Sequence, residues 1–181
     1  LGLQCDDPRK MQGSMHGLPP LTTPDAVSLH SALQPLTGAG VTHLAIEASS
    51  HGLAQQRLDG LNIHIAAFTN LSRDHLDHHE DMDSYFAAKS RLFTDLLLAG
   101  GSAVINIDDE YGAKLAASMR AAQPRQHVVI TVGQDKLADF RIADISPMDF
   151  GLEITVEHEE QAYRIPVALA GAFQAVHAVS A

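Results

Sequence analysis

The stretch "LNIHIAAFTNLSRDHLDHHEDMDSYFAAKSRLF", residues 61–93, changes texture twice, and its reading decides the fold. Residues 61–70 form a short apolar run with β-branched members, the pattern of a strand buried on both faces. Further on, apolar residues recur at helical spacing, which predicts a helix from about Asp83 to Leu98, stopped by the pair Gly100 and Gly101. Between the two lies a polar connection bearing Asp74, His75, Asp77, His78 and His79. A strand that passes through a polar turn into a helix is the repeating unit of parallel α/β sheets.

The flanking sequence extends that unit. Upstream, "TTPDAVSLHSALQPL" (22–36) reads as a helix, with Thr23 as its cap, Pro24 at the first position and Asp25 at the positive end of the dipole. "VTHLAIEA" (41–48) follows as a short strand, and downstream "SAVINIDD" (102–109) as another, with "DEYGAKLAASMRAA" as a helix. Strands alternating with helices predict a mostly parallel sheet flanked by helices. From about Gln126 the runs "HVVITVG", "FRIADISPM", "GLEITVEH" and "AYRIPVAL" are short, β-branched and joined by turns, which predicts antiparallel strands. "GAFQAVHAVSA" returns to helix. The chain therefore reads as one domain, an α/β part over 1–125 and a small antiparallel part over 126–168.

Composition limits the functions available. The 181 residues carry a net charge of −10, and a backbone-binding nucleic-acid protein needs a basic face, so nucleic acid is not the expected partner. The single cysteine, Cys5, excludes an internal disulfide and suits a reducing compartment. No apolar run reaches the roughly 20 residues that span a bilayer, and the N-terminus lacks the pattern of a signal peptide. A cytoplasmic protein without membrane contact is expected.

In open parallel sheets ligands bind beyond the carboxyl ends of the strands. Two strand ends carry polar clusters, Glu47-Ala48-Ser49-Ser50-His51 and Asn70 through His79. Were they neighbours, Glu47 would approach Asp74, His75 and Asp77, a set of donors suited to Mg²⁺ or Mn²⁺ with phosphate oxygens completing the shell. The second cluster also reads as a solvated turn, with Asp81 or Asp83 capping the next helix. A zinc hydrolase is a third reading, but the His-Glu-x-x-His spacing is missing.

Lys89 adds a further clue. On a wheel at about 100° per residue, it falls in the middle of the arc formed by Met82, Tyr85, Phe86, Leu92, Phe93 and Leu96. A lysine there must snorkel out, pair with a charge, or give up its proton. Gln55 and Arg57, two apart after a small polar loop, offer a clamp for a carboxylate or phosphate. The sequence contains neither G-x-x-x-x-G-K-[ST] nor a G-x-G-x-x-G after a strand.

Taken in order, "LTTPDAV", "EASSHGLAQQRLDG", "AAFTNLSRDHLDHHEDMDSYFAAKSRLF", "AVINIDDEYG" and "LAGAFQAVHAVSA" resemble the middle domain of the Mur ligases, from about Leu21 onward. The resemblance implies a P-loop-type central domain and an ATP-dependent ligase of peptidoglycan synthesis, in which an acyl phosphate is attacked by an amine. It is nearest to the branch that adds a diamino acid to UDP-MurNAc-L-Ala-D-Glu, acting as a monomer. It further implies Glu47 and His75 as Mg²⁺ ligands, with His75 and Lys89 catalytic. Lys89 would be carbamylated and would help hold a second ion. Thr22, Thr23, Ser49, Gln55 and Arg57 match contacts to the UDP-muramoyl peptide, and His177 would contact the adenine of ATP. Gln174 and His177 stand where the family commonly has asparagines. His78 and His79 are left as solvated turn, and "CDDPRKMQGSMHG" (5–17) is not placed.

By the same resemblance, the phosphate-binding loop would lie upstream and the domain choosing the amino acid downstream, so the chain is expected not to turn over by itself. A folylpolyglutamate-synthetase-like ligase and a non-catalytic domain holding a nucleotide sugar are the competing expectations.

Overall fold

The computed structural model describes residues 22–72, 79–122 and 126–181, together with the backbone of residues 3–5. They belong to two units, one of residues 1–62 and 75–96, the other of residues 63–74 and 97–181.

The first unit contains β1 (Leu3–Cys5), α1 (Ala26–Gly38), β2 (Leu44–Ile46), α2 (Ser50–Ala54), α3 (Met82–Arg91) and a π-helical turn, Leu92–Leu96. Helix α1 buries Leu29, Ala32 and Leu36 along one face. Its cap is Asp25, whose carboxylate accepts from Ser28 N at 3.0 Å, and not Thr23 as the sequence predicts. Strand β2 is shorter than its apolar run and pairs antiparallel with β1, Leu3 opposite Ile46 and Cys5 opposite Leu44. It forms a two-stranded sheet of its own, so the expected side-by-side strand ends at Glu47 and Asn70 do not come from one sheet.

Helix α3 starts with a capping box: Asp81 accepts from Ser84 N at 2.7 Å, and Ser84 Oγ accepts from Asp81 N at 3.2 Å. The α-helix stops at Arg91, short of the expected end, because the next five residues wind as a π turn. The helical wheel thus applies only as far as Arg91, although Phe93 and Leu96 beyond it are still buried.

The second unit is built on a six-stranded sheet in the order β3-β4-β5-β6-β7-β8. Strands β3 (Ile63–Phe68), β4 (Leu97–Asn106), β5 (Val128–Gly133) and β6 (Phe140–Met148) run parallel, whereas β7 (Gly151–His158) and β8 (Gln161–Val167) are antiparallel. Helix α4 (Glu110–Ala121) connects β4 to β5, and α5 (Gln174–Ser180) packs Ala175 against Val132, Ile142, Ile154 and Val156. The mostly parallel α/β class with an antiparallel end is the one expected.

Two details differ. The pair Gly100 and Gly101 does not stop a helix but bends β4. Gly100 has φ +84°, and a Cβ at Gly101 would lie 2.8 Å from His64 O. The pairing shifts there from Ile63–Leu97 to Ile65–Ser102, so only glycine fits the close backbone approach. The run "HVVITVG", expected antiparallel, is parallel to both neighbours, and the antiparallel part begins one strand later. The helical crossover through α4 returns the chain in the same direction, which strand texture alone does not encode.

Among the described residues no helix is long and apolar enough to cross a membrane.

Candidate functional site

Thr23 is the centre of a polar network in the first unit. It is 1% exposed, and its hydroxyl donates to Glu47 O at 2.8 Å while accepting from Ser49 N at 2.9 Å. A single hydroxyl, as donor and acceptor, thereby fixes the chain leaving β2. Ser49 in turn caps α2 by accepting from Gly52 N at 3.1 Å. Gly52 is needed at this point, since a Cβ there would meet Thr23 Cβ and Cγ2 at 2.8 Å each.

Arg57 closes the network. One terminal nitrogen donates to Thr23 O at 2.7 Å; Nε and the other donate to Gln55 Oε1 at 2.9 and 2.6 Å. The residue between the pair, Gln56, has φ +57°, a left-handed conformation costly for a side-chain-bearing residue. Thr23, Ser49, Gln55 and Arg57 are therefore hydrogen-bonded together, and Thr22 is exposed beside Thr23. The arrangement presents a guanidinium already held in place, which lowers the ordering cost of meeting an anion.

Lys89 does not snorkel into water. It is half-buried, and its ammonium donates to Ala48 O at 3.2 Å. Burial pushes the amine below the ordinary lysine value, while the Glu47 carboxylate acts in the opposite sense. Glu47 itself is exposed. The expected ligand His75 and its neighbours Asp74, Asp77 and His78 lie outside the described residues. Among the described residues no three His, Cys, Asp or Glu side chains are grouped to hold a metal. His177 belongs to the second unit, exposed on α5 with Nδ1 3.2 Å from Gln174 Oε1.

Four participants escape the sequence reading, His79, Arg91, Asp59 and His30. His79 is not a solvated turn residue: its Nε2 lies 2.9 Å from Oγ of buried Ser50, and its ring stacks on Tyr85 with centroids 4.9 Å apart. Arg91 reaches Leu53 O with one terminal nitrogen, Asp59 with the other, and Asp95 through Nε. The Asp59 backbone carbonyl also lies 3.2 Å from His30 Nε2. Spacing could have suggested only the Arg91–Asp95 pair, four apart on a helix. The His79–Ser50 and Arg91–Asp59 contacts join residues about thirty positions apart and leave no local pattern.

A family model described as "Mur ligase middle domain" matches residues 9–181. The UDP-N-acetylmuramoyl-L-alanyl-D-glutamate–2,6-diaminopimelate ligase of Bradyrhizobium diazoefficiens is 42% identical over 159 residues, which is 88% of this chain and 33% of that protein. The enzyme of the same name from Rhizobium meliloti is 46% identical over 168 residues, 89% of this chain and 32% of that protein. A solved structure of a ligase of that name superposes with a TM-score of 0.76 at 35% identity, covering 86% of this chain and 31% of its own. The chain thus spans about a third of the length of the relatives it matches.

Proposed function

Because the chain belongs to the Mur ligase family, through that family's middle domain, we propose that it is the central part of an ATP-dependent ligase. The complete protein would join 2,6-diaminopimelate to UDP-N-acetylmuramoyl-L-alanyl-D-glutamate in peptidoglycan synthesis. The names of relatives 42% and 46% identical to it support that choice of amino acid over lysine. The reaction runs in the cytoplasm, where ATP is supplied, and a monomer suffices for it.

The chemistry is phosphoryl transfer followed by acyl transfer. The substrate carboxylate takes the terminal phosphoryl group of ATP to give an acyl phosphate and ADP. The diamino acid's amine attacks the acyl carbon, and inorganic phosphate leaves as the amide forms. Both steps depend on positioning and charge neutralisation more than on covalent help from the protein. Thr22, Thr23, Ser49, Gln55 and Arg57 bind the nucleotide-sugar peptide, with Arg57 meeting an anionic group. His177 contacts the nucleotide base.

Mg²⁺ would be held by Glu47, His75 and carbamylated Lys89, and would supply neutralisation of phosphate charge. The observation that favours this donor set is the half-buried Lys89 amine beside Glu47. Carbamylation requires a neutral amine, and burial there disfavours the ammonium. The carbamate, once formed, carries a negative charge suited to a hard cation.

The single observation carrying the reading is the hydrogen-bonded set Thr23, Ser49, Gln55 and Arg57 next to Lys89 and Glu47, in a chain of this family. A phosphate-release assay on the complete protein tests it. Release is expected only when ATP, UDP-MurNAc-L-Ala-D-Glu and 2,6-diaminopimelate are all present. Release that ignores the nucleotide-sugar peptide, or none with all three substrates, refutes it.

A further inference from the structure

We propose that Arg91 is a positioning residue: from the helix that carries Lys89 it sets the loop that carries Gln55 and Arg57, and thereby tunes affinity for the anionic nucleotide sugar. The inference rests on the reading of Gln55 and Arg57 as substrate contacts.

Helix α2 has only five residues, and the turns that continue it over residues 55–60 are shaped by local backbone bonds such as Arg57 N to Gly52 O at 2.9 Å and Asp59 N to Gln56 O at 3.2 Å, which fix the local path of so short a segment but not its orientation. Their anchoring comes from cross-links with α3. Lys89 donates to Ala48 O just before α2, and Arg91 donates to Leu53 O near its end, so two side chains of α3 grip the backbone at the two ends of α2. The second terminal nitrogen of Arg91 lies 3.2 Å from each carboxylate oxygen of Asp59, on the far side of Gln55 and Arg57. Nε, at 3.1 Å from Asp95, fixes the plane of the guanidinium from the π turn that follows its helix.

The segment from Leu53 to Asp59 is thus pinned at both ends by one side chain, with strained Gln56 in between. That span contains both members of the Arg57–Gln55 pair. A planar fork with several fixed donors can make these contacts at once, whereas a lysine offers a single charged point. The fork is 24% exposed and Asp59 41%, so the link is shielded at the arginine and accessible at the carboxylate.

The test compares Arg91→Lys, Asp59→Asn and Arg57→Lys in the complete protein under steady-state assay. For Arg91→Lys and Asp59→Asn, KM for the nucleotide-sugar peptide is expected to rise about tenfold, with KM for ATP and for the diamino acid unchanged. The double variant should be no worse than the poorer single one, since both changes break the same link. Should Arg91→Lys fail to fold, Asp59→Asn alone carries the test. A merely structural role predicts a lowered Tm with every KM unchanged, and that result overturns the inference. A raised KM in Arg57→Lys beside unchanged values in the other two overturns the positioning role alone. An unchanged KM in Arg57→Lys overturns the substrate reading and this inference with it.

Discussion

Each of the two units is stabilised internally, and in opposite ways. In the second, a six-stranded ladder and a cluster of buried aliphatic side chains fix the backbone, and Ile154 and Val132 are almost wholly shielded from water. In the first, the elements that carry Glu47, Ser49, Gln55 and Arg57 adjoin β2 and α2, only three and five residues long, and side chains bonded to backbone carbonyls and amides do the fixing. The contrast teaches where precision comes from. A sheet tolerates an altered surface residue but not a hole, whereas a short-element site depends on individual polar atoms and on the absence of a single methyl group.

The largest effect is expected from a hole in the sheet. Ile154→Ala removes a fully buried side chain from the middle of β7 and should cost about 2–5 kcal/mol. Loss of hydrogen-exchange protection across the β7 amides measures it, with KM for the nucleotide sugar unchanged. Gly52→Ala is the counterpart in the first unit. Its methyl group would press on buried Thr23, for a cost of about 1–3 kcal/mol. Here the comparison is sharpened by function: KM for the nucleotide sugar should rise as well. Equal effects on KM from both substitutions would break the distinction.

A smaller effect with the opposite sign is expected at the β7–β8 turn. Glu159 and Glu160, at φ +46° and +65°, form a two-residue loop between paired His158 and Gln161. Such turns favour Asn-Gly, so Glu159→Asn with Glu160→Gly should stabilise the second unit by about 1 kcal/mol without touching substrate KM. Thermal unfolding reads the gain.

The smallest effect is electrostatic and belongs to the first unit. Hydrogen bonds from Ser28 and Ser84 hold the carboxyls of Asp25 and Asp81 below the ordinary carboxylate value. The stability they add is complete above that ordinary value. It declines as pH falls, because the unfolded chain takes up protons first, and it is gone below the lowered folded values. Amides at the starts of α1 and α3 should lose protection below about pH 4, and Asp25→Asn should abolish the pH dependence for α1.

The same contrast explains what the amino-acid sequence reveals. Strands such as Ile63–Phe68 and the helix Glu110–Ala121 announce themselves through local periodicity, and the parallel class follows from their alternation. The partner of β2 does not, because Leu44–Ile46 pairs with residues some forty positions upstream. The glycine pair at 100–101 reads as a helix stop, whereas a close approach to His64 O makes it a bend in a strand. Within the site, Gln55, Arg57 and the oddly placed Lys89 stand out in sequence. Thr23 is mistaken for a cap, because its partners Glu47 and Ser49 lie more than twenty residues away. His79 resembles a turn residue until Ser50 and Tyr85 are brought against it.

Burial disfavours the charged form of the Lys89 amine, and the proposed carbamylation rests on that. Carbon NMR of the complete protein, equilibrated with isotopically labelled bicarbonate, tests this directly. A carbamate carbonyl resonance is expected from the unaltered protein and should vanish in Lys89→Arg. Identical spectra from the two proteins would contradict it.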